Sequence, residues 1–340
     1  MKLDAVALTP SLTSAPQEAM VAEAAGYAGW FTAETGHDAM LLAALAAGAT
    51  SDLQVGTGIA VAFARNPMSL AYQANDIQQL SGGRFVLGLG SQIKAHITRR
   101  FSMPWSSPAA RMREYVLALK AIWANWNDGQ PLDFRGDFYS HTLMTPFFAP
   151  QPHDHGAPPV MLAAVGPRMT EVAGEVAEGV LTHSFSTPEY LRNVTVPALQ
   201  RGAEAGGRTL ADVTLAIGTF VVTGRTDDER AAARTAVAQQ ISFYGSTPAY
   251  RPVLDERGWG DLQTELNAMS KRGEWVEMAD RIDDEVIEAF AIIADDPDDV
   301  GHALLERFGD LAPTIRLSLY PTWIPDELAL AAIQATLADA

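Results

Sequence analysis

Residues 66–92, NPMSLAYQANDIQQLSGGRFVLGLGSQ, read as a helix, a tight turn and a strand that runs out into glycines. Leu70, Ala71, Ala74, Ile77 and Leu80 recur at helical spacing, with Gln73, Asn75, Asp76 and Gln79 between them. Pro67 stands where a first helical turn tolerates proline. Ser81-Gly82-Gly83-Arg84 then stops the helix, because glycine enters left-handed conformations cheaply. Phe85–Leu89 is too apolar for a half-exposed strand and suits a parallel strand buried on both faces. Gly88 and Gly90 remove side chains at its carboxyl end, where parallel α/β proteins bind ligands. A flat cofactor could pack on that backbone, and an ordinary αβ unit with a glycine turn would read the same way.

The alternation extends outward from this unit in both directions. Leu3–Leu8, Gly29–Thr32 and Leu53–Ala60 read as strands, separated by helices over Ala15–Ala25 and Leu41–Ala47, the latter closed by Gly48. A long helix over Ala109–Trp126 follows a stretch rich in Ser and Pro, and Leu132–His141 reads as a small hairpin turning at Arg135-Gly136-Asp137. Strands then recur at Val160–Ala164, Val180–Ser184, Val213–Val222 and Ile315–Leu319. Helices fall at Pro167–Ala177, Pro188–Ala205, Asp227–Ser242 and Pro325–Ala338. Eight βα repeats with right-handed crossovers close into a (β/α)8 TIM barrel. A doubly wound sheet would want a domain break, and no linker-like segment provides one. The expectation is one barrel domain over residues 1–340, with inserts near 91–108, 128–158 and 245–295.

Composition narrows the function classes. Hydrophobic residues make up 48% of the 340, enough for a substantial core. The N-terminal MKLDAVALTPSLTS reads as a strand and a loop, and no segment has the length of a membrane-spanning helix, so a soluble cytoplasmic protein is expected. Zero cysteines exclude disulfides, thiolate metal sites and a Cys nucleophile. A net charge of −17 argues against nucleic acid or an anionic membrane as the main partner. Lys94, His96, Arg99 and Arg100 form a local basic group that is an anion-holding element, a solvated loop or a subunit contact. Gly88-Leu89-Gly90 lacks the third glycine of a dinucleotide fingerprint, since position 93 is Ile93. His153-Asp154-His155 has no third ligand nearby, and no metal is expected.

In a barrel the active site forms at the carboxyl ends of the strands. Glu34, Thr35, Gly36, His37 and Asp38 follow strand two, and Gly56 to Ala60 end strand three. Gly90 and Ser91 end strand four, with His96 shortly beyond. Ala163, Ala164, Val165 and Gly166 follow strand five, and Thr182, His183 and Ser184 follow strand six. Three of the seven histidines thus fall at one end, and histidine is the side chain suited to proton transfer near neutral pH. Each has a structural alternative: His37 as a helix cap, His183 as a packed strand-end residue, His96 as part of a solvated loop. Glu34 is either a proton donor with a raised pKa or a paired structural acid.

The segments VGTGIAVAFARNP (55–67), SGGRFVLGLGS (81–91), RMREY (111–115) and PPVMLAAVGPRMTEVAGEVAEGVLTHS (158–184) together resemble the luciferase-like superfamily of barrel oxidoreductases. Its members use flavin or the deazaflavin coenzyme F420. The resemblance covers nearly the whole chain and implies a non-prolyl cis peptide at the end of strand three, here Gly58–Ile59, supporting the cofactor ring. It also implies that His37 and Glu34 flank the deazaflavin as the catalytic pair. Gly58, Ile59, Gly90, Ser91, His96, Ala164, Val165, Gly166, Thr182 and His183 would bind the cofactor. The pattern is more similar to the F420 branch than to the FMN branch. Sugar-phosphate dehydrogenases of the F420 branch carry a glutamate where this chain has Ile93, and their substrate-phosphate lysines lack counterparts here.

Aromatic residues in the inserts (Phe101, Trp105, Phe147, Phe148, Phe243, Tyr244, Trp259) read either as an apolar pocket or as lid residues packing among themselves. The resulting expectation is an F420-dependent oxidoreductase that transfers a hydride to or from an apolar or aromatic small molecule. The alternatives are an FMN-dependent monooxygenase and a non-catalytic flavin- or F420-binding protein. Long apolar helices at Met68–Leu80 and Met112–Ile122, together with the resemblance, suggest a homodimer.

Overall fold

Buried parallel strands and the caps of the helices between them fix the architecture. The structure, a computed structural model, describes residues 1–320 and 327–338. It falls into two compact units that interleave along the chain. The first comprises Ala5–Leu181 and Ala198–Val213; the second comprises Met1–Asp4, Thr182–Pro197 and Thr214–Ala340.

In the first unit, strands β2 (Gly29–Thr32), β3 (Gln54–Thr57), β4 (Phe85–Gly90), β5 (Val160–Ala163) and β6 (Gly179–Leu181) pair in that order, all parallel. The register sets Thr32 opposite Thr57, Leu89 opposite Leu162 and Ala163 opposite Leu181, so the strand ends form a continuous row. Every residue of β4 is buried, as its apolar run predicts. The expected strand Leu53–Ala60 is two pieces, Gln54–Thr57 and Ala60–Val61, parted by a cis peptide between Gly58 and Ile59. Ala60 and Val61 pair with Leu89 and Gly90 of β4.

The helices of this unit begin and end for local reasons. Helix α1 spans Ala15–Ala24, and its Glu23 accepts the backbone N–H groups of Ser51, Asp52 and Leu53 ahead of β3. Helix α2 spans Ala39–Ala49, capped by Asp38 Oδ1 on the N–H groups of Met40 and Leu41. It runs through Gly48 rather than stopping there, because its C-cap is Thr50, whose hydroxyl turns back onto the Ala46 carbonyl (2.9 Å). Helix α3, Pro67–Leu80, is capped by Asn66 and ends at Gly82 and Gly83, both in the left-handed region. Arg84 then ties the carbonyls of Ala47, Thr50 and Leu53 together.

Helix α4, Pro108–Asp128, buries Met112, Tyr115, Val116, Leu119, Ile122 and Trp123. Its Glu114 accepts the N–H groups of Asp137, Phe138 and Tyr139, which fixes the hairpin Phe134–Arg135/Ser140–His141. Helix α5, Pro167–Val176, joins β5 to β6.

In the second unit, the nine-residue strand β7 (Thr214–Val222) pairs parallel with β8 (Ile315–Tyr320), and β8 with the start of β1 (Lys2–Ala7). Asp4 and Arg316 form a buried ion pair there, with Nε to Oδ2 at 2.6 Å; burial raises the Asp4 pKa against the lowering pull of the guanidinium. A short strand, Ala291–Ile293, adds parallel to the end of β7. The sequence reading leaves it inside the 245–295 insert, because three apolar residues directly after the helix Asp284–Phe290 carry no period of their own. The last helix is described from Glu327 to Ala338; the expected positions 325 and 326 lie outside the described residues. The eight strands and their helices are those of a (β/α)8 barrel. Among the described residues no helix is long and apolar enough to cross a membrane.

Candidate functional site

The row of strand ends in the first unit is built around the break in strand three. Gly58 N–H donates to the Thr32 carbonyl (2.8 Å), and Glu34 N–H donates to the Ile59 carbonyl (3.1 Å), so β2 and its loop pin both sides of the cis bond. Thr57 Oγ1 donates to the Gly88 carbonyl (2.7 Å) on β4. Gly58 and Ile59 are half-exposed, whereas Gly56, Thr57, Ala60 and Val61 beside them are buried. Glycine is needed opposite: a Cβ on Gly90 would come within 2.8 Å of the Ile59 side chain, and one on Gly88 would strike the Thr57 carbonyl oxygen. A bare shelf results, with one accessible peptide between buried neighbours.

Glu34 is committed to this shelf. Its Oε2 accepts from Val61 N–H (2.8 Å) and from Arg65 Nη1 (2.6 Å), and its side chain is 8% exposed. Of the two roles open to it, the hydrogen bonds favour the paired acid. Arg65, 12% exposed, also reaches the Val61 carbonyl (3.2 Å) through Nη1 and Asp38 Oδ2 (2.7 Å) through Nη2. Its carboxylate partners raise its pKa against the opposing effect of burial, so it is a permanent cation. Asp38 divides its oxygens between the α2 cap and Arg65. The cap of α2 is therefore Asp38 and not His37, which stands exposed at the tip of the same loop.

Arg65 is the residue that sequence reasoning missed. It lies in the quoted segment 55–67, where a cation among apolar residues signals a buried carboxylate partner elsewhere. The motif RMREY supports it from behind. Tyr115 OH donates to the Arg65 carbonyl (3.3 Å). Arg111 bonds Tyr139 OH (2.8 Å) and the Pro104 carbonyl (2.7 Å), and its guanidinium lies 4.5 Å from the Phe63 ring centroid. Trp105 packs edge-on to Phe63 at 5.9 Å.

The other expected residues of this unit lie along the same row. Gly90 is buried, and Ser91 follows it half-exposed. His96 opens an exposed π-helical turn, His96–Arg100, tied to the loop after β2 by Arg100 Nη2 on the Thr35 carbonyl (3.1 Å). Ala164 N–H donates to the Leu181 carbonyl (3.1 Å), and Val165 leads into Gly166, the N-cap of α5. A side chain at Gly166 would meet nothing within 4 Å, which leaves the helix N-terminus open.

Thr182 and His183 belong to the second unit. Thr182 N–H donates to the Ala216 carbonyl (2.8 Å) on β7, and its hydroxyl is buried without a hydrogen-bond partner among the described residues. His183 accepts at Nδ1 from Phe185 N–H (3.0 Å). Burial pushes its pKa down to about 4, so the ring is neutral in the physiological range. The insert aromatics separate into groups. Trp105 packs on Phe63, Phe147 and Phe148 pair at 5.1 Å on the exposed surface, Trp259 leans on Phe290, and Phe243 and Tyr244 join His183.

The chain is 51% identical over 293 residues, 86% of each chain, to an uncharacterized protein of Mycobacterium tuberculosis. It is 28% identical over 264 residues to the 5,10-methylenetetrahydromethanopterin reductase of Archaeoglobus fulgidus, covering 77% of this chain and 74% of that one. The structure of the coenzyme F420-dependent tetrahydromethanopterin reductase from Methanopyrus kandleri matches its fold with a TM-score of 0.81 at 24% identity, over 99% of this chain and 98% of that one. The luciferase-like monooxygenase model matches residues 3–313. A match of that extent, on a barrel with these glycine-lined strand ends, means that the chain belongs to the luciferase-like monooxygenase family of oxidoreductases.

Proposed function

We propose that the protein is a coenzyme F420-dependent oxidoreductase that transfers a hydride between the deazaflavin and an apolar or aromatic organic substrate. The observation that carries this reading is the half-exposed Gly58–Ile59 peptide, held on both sides by β2 and its loop and cleared of side chains by Gly88 and Gly90. A planar ring fits such a shelf, and a relative described as a putative coenzyme F420-dependent oxidoreductase, 28% identical over 292 residues, favours the deazaflavin. When bound, F420 supplies the carbon that gives or takes the hydride.

The chain's own residues bind and orient. Gly58, Ile59, Gly90 and Ser91 form the shelf, with His96 beside it on the turn tied to Thr35. Ala164, Val165 and Gly166 lead to the open N-terminus of α5, whose free N–H groups suit a phosphate-bearing chain. Arg168, exposed in the first turn of that helix, adds positive charge. Proton exchange with the substrate is assigned to His37, exposed at the loop tip. Glu34 keeps the loop in place through Val61 and Arg65.

Fluorescence titration of the purified protein with F420 and, separately, FMN tests the reading. Micromolar or tighter binding of F420 alone is the expected result. His37→Ala should then lower kcat by about 100-fold with little change in cofactor affinity. Unchanged turnover in that variant would remove His37 from the chemistry. A second reading, an FMN-dependent monooxygenase, draws on the family's own description and would follow from preference for FMN. A binding protein without turnover would bind cofactor and leave every hydride acceptor unreduced.

The same reading includes a homodimer. Most apolar residues of α3 and α4 on which that expectation rested are buried within the chain, Leu80 at the end of α3 being exposed. The exposed apolar face lies instead on α2, a helix without a charged residue, where Leu41 is 56% and Leu45 41% exposed, beside Met20 and Val21 of α1. Light scattering should give twice the chain mass, and Leu41→Lys with Leu45→Lys should halve it. A monomeric wild type would overturn this part.

A further inference from the structure

His183 and its neighbours in the second unit form a group that the proton chemistry above does not use. The ring is oriented by its own loop. Because Phe185 N–H occupies Nδ1, a neutral imidazole here carries its hydrogen on Nε2, which has no partner among the described residues. Tyr244 stands edge-on to the ring, with centroids 4.3 Å apart at 73°, and Tyr250 leans on it at 4.9 Å and 44°. Phe243 continues the wall edge-on to Tyr244 at 5.3 Å and leans on Trp275 at 5.9 Å. Phe243 and Trp275 are both half open to solvent, so the wall begins at the surface and ends at the imidazole.

No charged group shifts the imidazole; burial alone does so. The titratable groups facing it, Tyr244 and Tyr250, are raised by their own burial, so all three are uncharged at neutral pH. The Thr182 hydroxyl next along the chain is buried and unpartnered. A wall of uncharged aromatic rings with one fixed N–H donor at its end recognises a specific chemistry. Charged ligands gain nothing from it, and purely aliphatic ones leave the donor unmet.

We propose that His183, Tyr244 and Tyr250 form a subsite for a flat aromatic ring bearing a carbonyl oxygen, with the ring against the tyrosines and the oxygen accepting from His183 Nε2–H. The ring and its carbonyl belong to an aromatic substrate, and only that assignment rests on the oxidoreductase reading. His183 here is a hydrogen-bond donor and specificity determinant, not a base.

Two measurements on the full-length protein test it. In protein labelled with 15N-histidine, the resonance lost in His183→Asn should show the Nε2–H tautomer and no titration between about pH 5.5 and 8. An Nδ1–H tautomer, or a midpoint inside that range, overturns the proposal. Fluorescence titrations then use F420, FMN, acetophenone and its oxygen-free analogue ethylbenzene. His183→Phe keeps the ring and removes the donor, and should weaken acetophenone about tenfold while leaving ethylbenzene unchanged. His183→Asn, which keeps an N–H donor, should restore part of that loss. Weakening of acetophenone supports the subsite, and weakening of F420 or FMN with acetophenone unchanged overturns it. Equal affinities in wild type and His183→Phe, or no carbonyl ligand bound by wild type, would overturn the subsite. Failure of both cofactors to bind would sink the hydride-transfer reading, with the acetophenone and ethylbenzene pair still deciding this one.

Discussion

Gly88→Ala should destabilise the protein by about 3 kcal/mol or more, the range of severe overpacking, and lower Tm by roughly 4 °C. The added methyl would be driven into the Thr57 carbonyl oxygen and within 3.0 Å of Leu181 Cδ1. Neither neighbour can give way cheaply. The Thr57 backbone is tied to β2 through its strand register and to β4 through its hydroxyl, and β4 is buried throughout. Gly36→Ala is the matched control, since a methyl there meets nothing within 4 Å, and it should stay within about 0.5 kcal/mol of wild type. Differential scanning calorimetry of the pair decides the matter. Equal melting curves would mean that the close approach of β3 and β4 is not what demands glycine at position 88.

Arg65→Met should cost about 3–5 kcal/mol, because it strands the Glu34 carboxylate in a nearly closed environment with only the Val61 N–H left. Removing both charges, Glu34→Gln with Arg65→Met, should recover a large part of that loss, since burying a neutral amide is far cheaper than burying an unpaired charge. Arg65→Lys should fall between. A single ammonium lacks the fork that lets Nη1 serve Glu34 and Nη2 serve Asp38 together. Urea denaturation of these proteins, with the Glu34→Gln single variant closing the cycle, measures the coupling. Cofactor affinity should fall with stability in Arg65→Met, because the residue joins the loop after β2 to the turn after β3. If Arg65→Met lies within 1 kcal/mol of wild type, the ion pair is not what holds the shelf.

The barrel was legible because its strands are buried on both faces. Phe85–Leu89 and Val160–Ala164 read as short apolar runs, and α3 carries its proline at the first turn and its glycines at the end, as its sequence suggests. Position-by-position punctuation was less dependable. Gly48 reads as a stop, yet α2 continues past it, since glycine permits a left-handed turn without compelling one. Leu53–Ala60 reads as one strand because side-chain periodicity is blind to a reversed peptide at Gly58–Ile59.

The candidate site was legible residue by residue and not in its pairings. Glu34 could be named from its place after a strand. Its commitment to Arg65, 31 positions away, depends on the fold bringing two loops together. The same holds for His183, whose neighbours Tyr244 and Tyr250 come from an insert with no regular period.

Three of the four polar side chains of the RMREY segment have a consequence for redesign. Glu114 holds the turn of the small hairpin, Arg111 holds the insert that precedes α4, and Tyr115 holds the carbonyl of Arg65, all from two turns of one helix. Loop exchange is a common route to new substrate scope in barrel enzymes, and it treats each insert as an independent part. In this protein those two inserts and the strand-three shelf share one fastening. A transplanted hairpin must therefore bring three backbone N–H groups to Glu114 and a phenol to Arg111, or its misfit will be transmitted to the strand-three turn it never touches.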